Sequence, residues 1–223
     1  MIEPHKQLKG VFFEDGRPPI IATKALVNES VYGEQLVEEG GNIYREWDPF
    51  KSKLGAGIVK GLSQIGIKPG SKVLYLGCAS GTTVSHVSDL VGEEGFVYGL
   101  DFAPRVMRDF MFLVEKRKNM LPIMEDANHP ERYKEFVEDV DVVFQDVAQK
   151  NQVEIFLKNC DEFLKSGGFG LLAVKSRSMD VTKRPDDIFR MVQIELMKKM
   201  VIVDQRKLDP FEKDHILFVV KKK

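Results

Sequence analysis

The sequence is poor in cysteine, in clustered histidine and in long apolar runs. Its two cysteines, Cys78 and Cys160, lie far apart without CxxC spacing, which argues against a disulfide framework and a thiolate metal site. The four histidines show no ligand spacing such as HExxH, so we expect no metal in the chemistry. No apolar run reaches the roughly 18 residues that a membrane span requires. We therefore expect a protein without a membrane partner.

The N-terminus and the net charge indicate where the protein is located and how it could contact nucleic acid. The first ten residues, MIEPHKQLKG, lack the basic and then apolar pattern of a secretory signal, and a cytoplasmic location is the expectation. The formal net charge of −1 is weak for a protein that holds nucleic acid alone, because phosphate contacts require cations. Partners or local basic patches would have to supply them. The candidate patches, each of which could equally be a solvated face, are residues 175–190, 198–199, 206–207 and 221–223.

Two regions of the chain differ in their hydrophobic pattern. Residues 11–13, 20–23 and 43–47 are short β-like stretches between Gly and Pro residues, which predicts a small antiparallel sheet. From about residue 52 onward, strand patterns alternate with helix patterns. We therefore predict a small N-terminal β domain over residues 1–51 and a second domain over residues 52–223.

The second region reads as a doubly wound α/β fold. Repeated strand–helix units predict a mostly parallel sheet with helices on both faces, and the last two strands should form an antiparallel hairpin. In such open sheets, ligands bind beyond the carboxyl ends of the strands. The predicted strands are residues 73–76, 96–100, 121–124, 140–144, 169–174, 201–208 and 215–220. The predicted helices are residues 54–65, 84–91, 104–118, a short one from 130, 153–164 and 185–200.

The first of these strands ends in a glycine-containing turn with the sequence LGCASGTT over residues 76–83. Gly77 and Gly81 allow a tight turn and a close approach to a ligand. Thr82 or Thr83 stands where a helix N-cap is expected, and the N–H groups of a helix start can face an electron-rich ligand. A tight turn without any ligand remains the alternative.

The next strand ends at Asp101, twenty positions after Gly81. An acidic side chain there can accept hydrogen bonds from ribose hydroxyls, and Phe102 can pack against an adenine. Alternatively, Asp101 is a helix N-cap and Phe102 a core residue. The residue three positions after Gly81 is Val84, so the dinucleotide pattern GxGxxG is missing. A nucleoside ligand without a pyrophosphate fits better, and S-adenosylmethionine is such a ligand.

The third and fourth strands also end in acidic residues. Asp126 could accept from the adenine amine with the backbone of Ala127 beside it, and the residues from Asp146 to Gln149 would lie along the methionine arm. Turns are rich in Asp for other reasons, which is the alternative explanation. The predicted cofactor-binding residues are Gly77, Ala79, Gly81, Thr82, Thr83, Asp101, Phe102, Asp126, Ala127, Asp146, Val147, Ala148 and Gln149.

Several segments together resemble one known family. These segments are YREWDPFKSKL at residues 44–54, GCASGTT at 77–83, DAN at 126–128, DVAQ at 146–149, KSRSMD at 175–180 and PFEKDH at 210–215. In order and spacing the sequence resembles fibrillarin, specifically its archaeal form, from about residue 40 to the end. Residues 1–40 resemble the small N-terminal sheet domain of that family more loosely.

The resemblance implies a Rossmann-like S-adenosylmethionine methyltransferase. It implies methyl transfer to the ribose 2′-hydroxyl of guide-selected nucleotides in pre-rRNA, and in tRNA as a further substrate. The implied setting is a C/D-box ribonucleoprotein. The implied partners are a Nop-domain scaffold protein, a C/D-box guide RNA, a kink-turn-binding ribosomal-protein homologue and the substrate RNA.

By the same resemblance, the catalytic residues are Lys53, Asp146, Lys175 and His215. A ribose hydroxyl must lose a proton during methyl transfer, and we expect Lys175 to accept it. Lysine is ordinarily protonated at pH 7, and positive charge from Lys53 and the sulfonium would favour the neutral amine. We expect Asp146 to orient Lys175 and the hydroxyl, and Lys53 and His215 to position the ribose or its phosphate. Taken singly, each has a purely structural explanation.

Three other functions remain open from the sequence. A protein or small-molecule methyltransferase could use the same cofactor pocket. A catalytically idle scaffold within the ribonucleoprotein would keep the fold without the reaction. A nicotinamide dehydrogenase would share the strand-end acid, although the residue at Val84 disfavours it.

Overall fold

The computed structural model describes residues 1–14, 16 and 19–223 and folds them into two β-sheets. The N-terminal sheet contains β1 (Glu3–Pro4), β2 (Val11–Glu14), β3 (Ile20–Lys24), β4 (Leu36–Glu39) and β5 (Asn42–Glu46). Its order is β1-β2-β3-β5-β4, and all neighbouring strands are antiparallel. The small antiparallel sheet predicted for this region is therefore confirmed.

The larger sheet contains β6 (Lys72–Leu76), β7 (Phe96–Asp101), β8 (Met120–Met124), β9 (Val140–Gln145), β10 (Leu164–Lys175), β11 (Met200–Lys207) and β12 (His215–Lys222). The helices are α1 (Lys53–Val59), α2 (Thr82–Val91), α3 (Pro104–Lys116), α4 (Gln152–Phe163), α5 (Ser176–Met179) and α6 (Pro185–Met197), with one 3-10 turn at Pro130–Arg132. The strand order is β11-β12-β10-β9-β6-β7-β8. Strands β10, β9, β6, β7 and β8 are parallel, and β12 and β11 close the sheet as an antiparallel hairpin, as predicted.

The apolar core lies on both faces of the larger sheet, because successive side chains of a strand point to opposite faces. Val73 and Tyr75 of β6 join the cluster that contains buried residues of α1, α2 and α3. Leu74 and Leu76 join the cluster that contains those of α4 and α6. None of the described helices is long and apolar enough to cross a membrane.

Several predicted boundaries were wrong. The helix expected over 54–65 ends at Val59, because Gly61 adopts a left-handed φ of 83°. The strand expected to begin at Phe169 begins at Leu164, with an irregular register between these two residues. The helices expected to reach 118, 164 and 200 end at Lys116, Phe163 and Met197. Strands β1 and β4 and the short helix α5 were not predicted.

A buried ionic cluster joins the N-terminal sheet to helices α2 and α3. Arg45 of β5 forms ion pairs with Glu34 at 2.6 Å and with Asp89 of α2 at 2.7 Å. Asp89 also pairs with Arg117, which follows α3, at 2.7 Å. All four side chains are at most 1% exposed. Charges can be buried in this way only when each has a partner. The division into domains 1–51 and 52–223 remains a prediction, since the two sheets share this cluster.

His86 of α2 lies beside this cluster and is fully buried. Thr23 uses its single hydroxyl proton to donate to Asp89 at 2.8 Å. The contact of 2.8 Å between the Thr23 hydroxyl and His86 Nδ1 then requires a proton on Nδ1. Nε2 lies 2.8 Å from the Tyr32 hydroxyl, whose single proton has a second acceptor in the Glu46 carbonyl oxygen at 3.1 Å. Because burial disfavours a charged His86, Nε2 carries no proton and accepts from this hydroxyl. Trp47 stacks on the ring with the centroids 4.6 Å apart. Both nitrogens of a neutral His86 are therefore satisfied.

This arrangement predicts that the protein loses stability in mild acid. Burial, and then the charges of Arg45 and Arg117, hold the pKa of His86 well below its ordinary value. Below about pH 6.5 the unfolded chain binds a proton at this residue that the folded chain excludes, so the free energy of unfolding falls as the pH falls. We expect His86 to contribute a slope of up to about 1.4 kcal/mol per pH unit.

Urea denaturation at several values between pH 7 and pH 5 measures this slope. His86→Gln is the control variant, because it keeps a polar side chain that does not titrate. The variant should be less stable at pH 7 but should lose less stability on acidification. Equal slopes for the two proteins would contradict the assignment of a neutral, buried His86.

Candidate active site

A cavity of about 300 Å³ opens at the carboxyl ends of β6, β7 and β9. This volume is at the lower end of the range for small-molecule sites. Every lining residue except Leu100 was predicted to bind the cofactor. The lining residues are Gly77, Ala79, Leu100, Asp101, Phe102, Ala127, Asp146, Val147, Ala148 and Gln149. Leu100 lies inside a strand pattern, where a core position is the ordinary expectation.

The turn after β6 is shaped by two close backbone approaches. Gly77 has a φ of 83°, and a Cβ atom there would lie 2.4 Å from the carbonyl oxygen of Asp146. Gly77 therefore allows this turn to pack against the segment that follows β9. Ala79 also has a positive φ of 48°, and its N–H donates to Asp101 Oδ2 at 3.1 Å. The turn and the end of β7 are thus held together across the mouth of the cavity.

The predicted N-cap of α2 was wrong. The N-cap is Gly81, with a left-handed φ of 110°, and both threonines lie inside the helix. A side chain at Gly81 would meet Leu113 of α3 at 2.5 Å, so the position is closed to larger residues. The Thr83 hydroxyl donates to the Ser52 hydroxyl at 3.0 Å. Gly81, Thr82 and Thr83 do not line the cavity.

The acidic residues at the strand ends have distinct surroundings. Asp101 accepts from the N–H groups of Ala79 and Ala103, both at 3.1 Å. The N-cap of α3 is Ala103, so Asp101 is not the cap, and Phe102 is 63% exposed, so it is not a core residue. Asp126 does not line the cavity. Its carboxylate accepts from the backbone and side chain of Asn128, and these bonds lower the pKa of Asp126.

An ion pair lies at the edge of the cavity. Lys53 Nζ donates to Asp146 Oδ2 at 3.0 Å, and both side chains are about one-fifth exposed, at 21% and 22%. Burial alone would lower the pKa of Lys53, but Asp146, with a further contribution from Glu212, raises it above its ordinary value. Lys53 therefore remains an ammonium group at neutral pH.

Lys175 and His215 are directly opposite each other on β10 and β12. The N–H and C=O of Lys175 point toward Gln152, and the C=O of His215 accepts from Leu208 on the other side. The two residues therefore form a non-hydrogen-bonded pair, in which Cα atoms are about 4.5 Å apart and side chains are closest. His215 is buried, and its Nδ1 lies 2.7 Å from the Lys213 carbonyl oxygen. Nδ1 therefore carries the proton.

The expectation that Asp146 orients Lys175 was wrong. Asp146 pairs with Lys53, which approaches from the start of α1. The Lys175 side chain is exposed and forms no ion pair with any other residue that the structure describes. The reason is geometric: Ser52 caps α1 by accepting from Gly55 N–H at 3.1 Å, which fixes Lys53 at the first position of the helix. The Ser that precedes an apolar run was the available signal for this cap.

Within the described residues there is no cluster of three or more His, Cys, Asp or Glu side chains placed to hold a metal ion. The buried amide of Gln152, which contacts the backbone of Lys175 and Gln149, had no sequence signal. Glu212 lies within the PFEKDH segment at residues 210–215 but was not predicted as a site residue, and its carboxylate lies 3.8 Å from His215 Nδ1. The tertiary structure brings Gln152 next to Lys175 and places Glu212 near His215.

Known proteins share this sequence and architecture. The Fibrillarin family model matches residues 2–223. A fibrillarin-like rRNA/tRNA 2′-O-methyltransferase of Thermococcus onnurineus is 53% identical over 213 residues, which cover 95% of this chain and 94% of that protein.

Two solved structures are also similar. Aeropyrum pernix fibrillarin in complex with natively bound S-adenosyl-L-methionine has a TM-score of 0.91 and 44% identity, and covers 99% of this chain and 97% of its own. A fibrillarin/Nop5p complex contains a chain with a TM-score of 0.88 and 38% identity, covering 98% of this chain and 100% of its own. Since the family model and these relatives extend over almost the whole sequence, the chain belongs to the fibrillarin family.

Proposed function

We propose that this chain transfers a methyl group from S-adenosylmethionine to ribose 2′-hydroxyls of rRNA and tRNA, as the catalytic subunit of a C/D-box ribonucleoprotein. One observation carries the proposal most directly. The cavity, the Lys53–Asp146 ion pair and the end of β10 lie along one edge of the sheet. The relatives named as rRNA/tRNA 2′-O-methyltransferases support the same reaction. Because the chain belongs to the fibrillarin family, we no longer consider a nicotinamide dehydrogenase as its function.

The residues of the cavity fit S-adenosylmethionine, which supplies an activated methyl group on a sulfonium. Asp101 uses one lone pair of each oxygen for a backbone N–H, and the others remain available for ribose hydroxyls. The exposed ring of Phe102 lies in the cavity wall, where an adenine can pack against it. Asp146 to Gln149 form the opposite wall. The solved Aeropyrum pernix fibrillarin contains this ligand, which supports the assignment.

The side chains on the same edge supply positioning and proton transfer. The Lys53 ammonium holds Asp146 in place, and Asp146 has a second oxygen with which to accept from the substrate hydroxyl. We assign the acceptance of the hydroxyl proton to the Lys175 amine, which has no carboxylate partner among the described residues. His215, oriented by the Lys213 carbonyl, presents Nε2 beside it and contacts the ribose.

The partners follow from the same proposal. A related chain is solved in a fibrillarin/Nop5p complex, and we infer that this chain also docks on a Nop-domain scaffold protein. A C/D-box guide RNA and a kink-turn-binding ribosomal-protein homologue would complete the particle and deliver the substrate RNA. The net charge of −1 is consistent with partners that supply much of the contact with RNA. We infer a cytoplasmic location for such a particle.

Methylation by a reconstituted particle tests this function. The wild-type chain, the scaffold protein, the kink-turn-binding protein and a guide RNA are combined with S-adenosylmethionine labelled in the methyl group. We expect label only in the nucleotide that the guide selects, and none when that nucleotide is 2′-deoxy. Label in the deoxy substrate, or in protein, would contradict ribose methylation. An assembled particle without any transfer would indicate an idle scaffold instead.

A further inference from the structure

Lys175 is the last residue of β10 and lies beyond the part of that strand that pairs with β9. Strand β10 pairs with β9 as far as Leu172, which is opposite Gln145, the last residue of β9. Lys175 is three residues farther along β10 and faces β12 on its other side. The N–H and C=O that it directs toward the β9 side therefore need other partners, because buried backbone groups are almost always hydrogen-bonded.

The side chain of Gln152 provides both partners. Its Oε1 accepts from Lys175 N–H at 3.3 Å, and its Nε2 donates to the Lys175 carbonyl oxygen at 3.4 Å. A primary amide can pair with a backbone in the way that a neighbouring strand would. Gln152 is fully buried at the start of α4, and its backbone carbonyl oxygen accepts from Gln145 Nε2 at 2.6 Å. The amide is thus fixed in place, and the backbone direction of Lys175 is fixed with it.

The same amide also reaches the cavity wall. Gln152 Nε2 donates to the carbonyl oxygen of Gln149 at 3.0 Å, and Gln149 lines the cavity. The backbone N–H of Gln152 donates to the same oxygen at 3.3 Å, so this wall has a second support that does not depend on the side chain. Among the residues that the structure describes, no second group bonds to the backbone of Lys175 on the β9 side. Loss of the amide should therefore affect Lys175 more than the cavity.

We propose that Gln152 is a positioning residue, which sets the distance between the amine of Lys175 and a methyl donor held in the cavity. The inference rests on the proposed function and assigns one more residue to it. Gln152 does not touch the reacting atoms and acts through the backbone of Lys175. Because methyl transfer depends on alignment, a displacement of about 1 Å in such a group can lower the rate by about a hundredfold.

Gln152→Met tests the proposal, because methionine has nearly the same shape without a donor or acceptor. In the reconstituted particle we expect kcat to fall by one to two orders of magnitude, while KM for S-adenosylmethionine changes by less than about twofold. The number of S-adenosylmethionine molecules bound per chain should stay the same. A partly unfolded protein would instead lose binding and activity in proportion. Gln152→Glu is the second variant, which keeps the acceptor for Lys175 N–H but turns a carboxylate oxygen toward two carbonyl oxygens. Because a buried charge without a partner is costly, we expect a fall in kcat at least as large as that of Gln152→Met.

A double-mutant cycle with Lys175→Ala separates positioning from a general loss of structure. If Gln152 acts through Lys175, the double variant should be no slower than Lys175→Ala alone, within about twofold. A merely structural role would make the two losses multiply. Multiplicative losses, or a Gln152→Met particle with the wild-type kcat, would overturn the proposal.

Asn119→Leu is the matched control. Asn119 is also a buried amide, 5% exposed, and it donates to the carbonyl oxygens of Ser88 and Gly92 at 3.0 and 2.9 Å, outside the active site. We expect this variant to lose stability but to keep kcat per bound S-adenosylmethionine. Wild-type particles that fail to methylate RNA would refute the proposed function itself, whereas active wild-type and equally active Gln152→Met particles would refute only the role of Gln152.

Discussion

Replacing Asp146 by Ala is expected to lower kcat for methyl transfer by about 10²- to 10⁴-fold. The variant removes the carboxylate that pairs with Lys53 at 3.0 Å and that we assign to the substrate hydroxyl. It also leaves the Lys53 ammonium without its partner at the edge of the cavity. The measurement is the single-turnover rate in the reconstituted particle, with particle assembly followed separately. We expect assembly to be unchanged, because Asp146 lies at the strand end rather than in the apolar core.

Asp141→Ala is the control for this variant. Asp141 lies near the start of the same strand, β9, and pairs with Lys165 at 2.7 Å. It is therefore an ion-paired aspartate at the opposite end of the sheet from the cavity. We expect kcat of particles with Asp141→Ala to stay within about twofold of the wild-type value. An Asp146→Ala particle that retains the wild-type rate would show that Asp146 takes no part in the reaction.

Replacing Asp89 by Asn is expected to lower the free energy of unfolding by about 3–5 kcal/mol, because it removes the negative charge from a buried ionic cluster and leaves the positive charges in place. Asp89 accepts from Arg45 and Arg117 at 2.7 Å each, from the Thr23 hydroxyl at 2.8 Å and from Leu26 N–H at 3.0 Å. Asparagine has the same shape, but it leaves two buried guanidinium groups without this negative charge. Urea denaturation at pH 7 measures the loss.

Asp161→Asn is the matched substitution on the surface. Asp161 pairs with Lys199, and both side chains are about half exposed. Exposed pairs of this kind contribute less than about 1 kcal/mol, so this variant should denature close to the wild type. Similar losses for the two variants would mean that the buried cluster contributes no more than a surface pair. A loss confined to Asp89→Asn would show that the buried cluster stabilises the fold more than a surface ion pair does.

The strands of the larger sheet were predicted well because their signal is local. Strand β6 is an apolar run followed by Gly77, and β7 and β9 are mainly apolar runs whose ends are marked by Asp101 and Asp146. The errors occurred where contacts distant in sequence override local preference. Strand β4, with the sequence LVEE, is partly polar and pairs along β5. The residues after Val59 continue an apolar pattern, but Leu62 and Ile65 pack in the core outside the helix.

The buried charges show a second limit of the sequence. Arg45, Glu34 and Asp89 are spread over 56 positions and have no motif that links them. Charged residues are ordinarily expected on the surface, and each of these taken alone has that expectation. Only the packing of the N-terminal sheet on α2 brings them together and excludes water. Their burial therefore could not be predicted from local sequence.

The sequence by itself determined the strand ends that form the cavity. Parallel strands bring their carboxyl ends to one edge, so the short segments at Gly77, Asp101 and Asp146 had to meet there. The tertiary structure decided which side chains pair. Lys53 reaches Asp146 across 93 positions, and the amide of Gln152 reaches the backbone of Lys175 across 23. Such partners depend on how helices pack against the sheet, and no spacing in a single chain encodes that geometry.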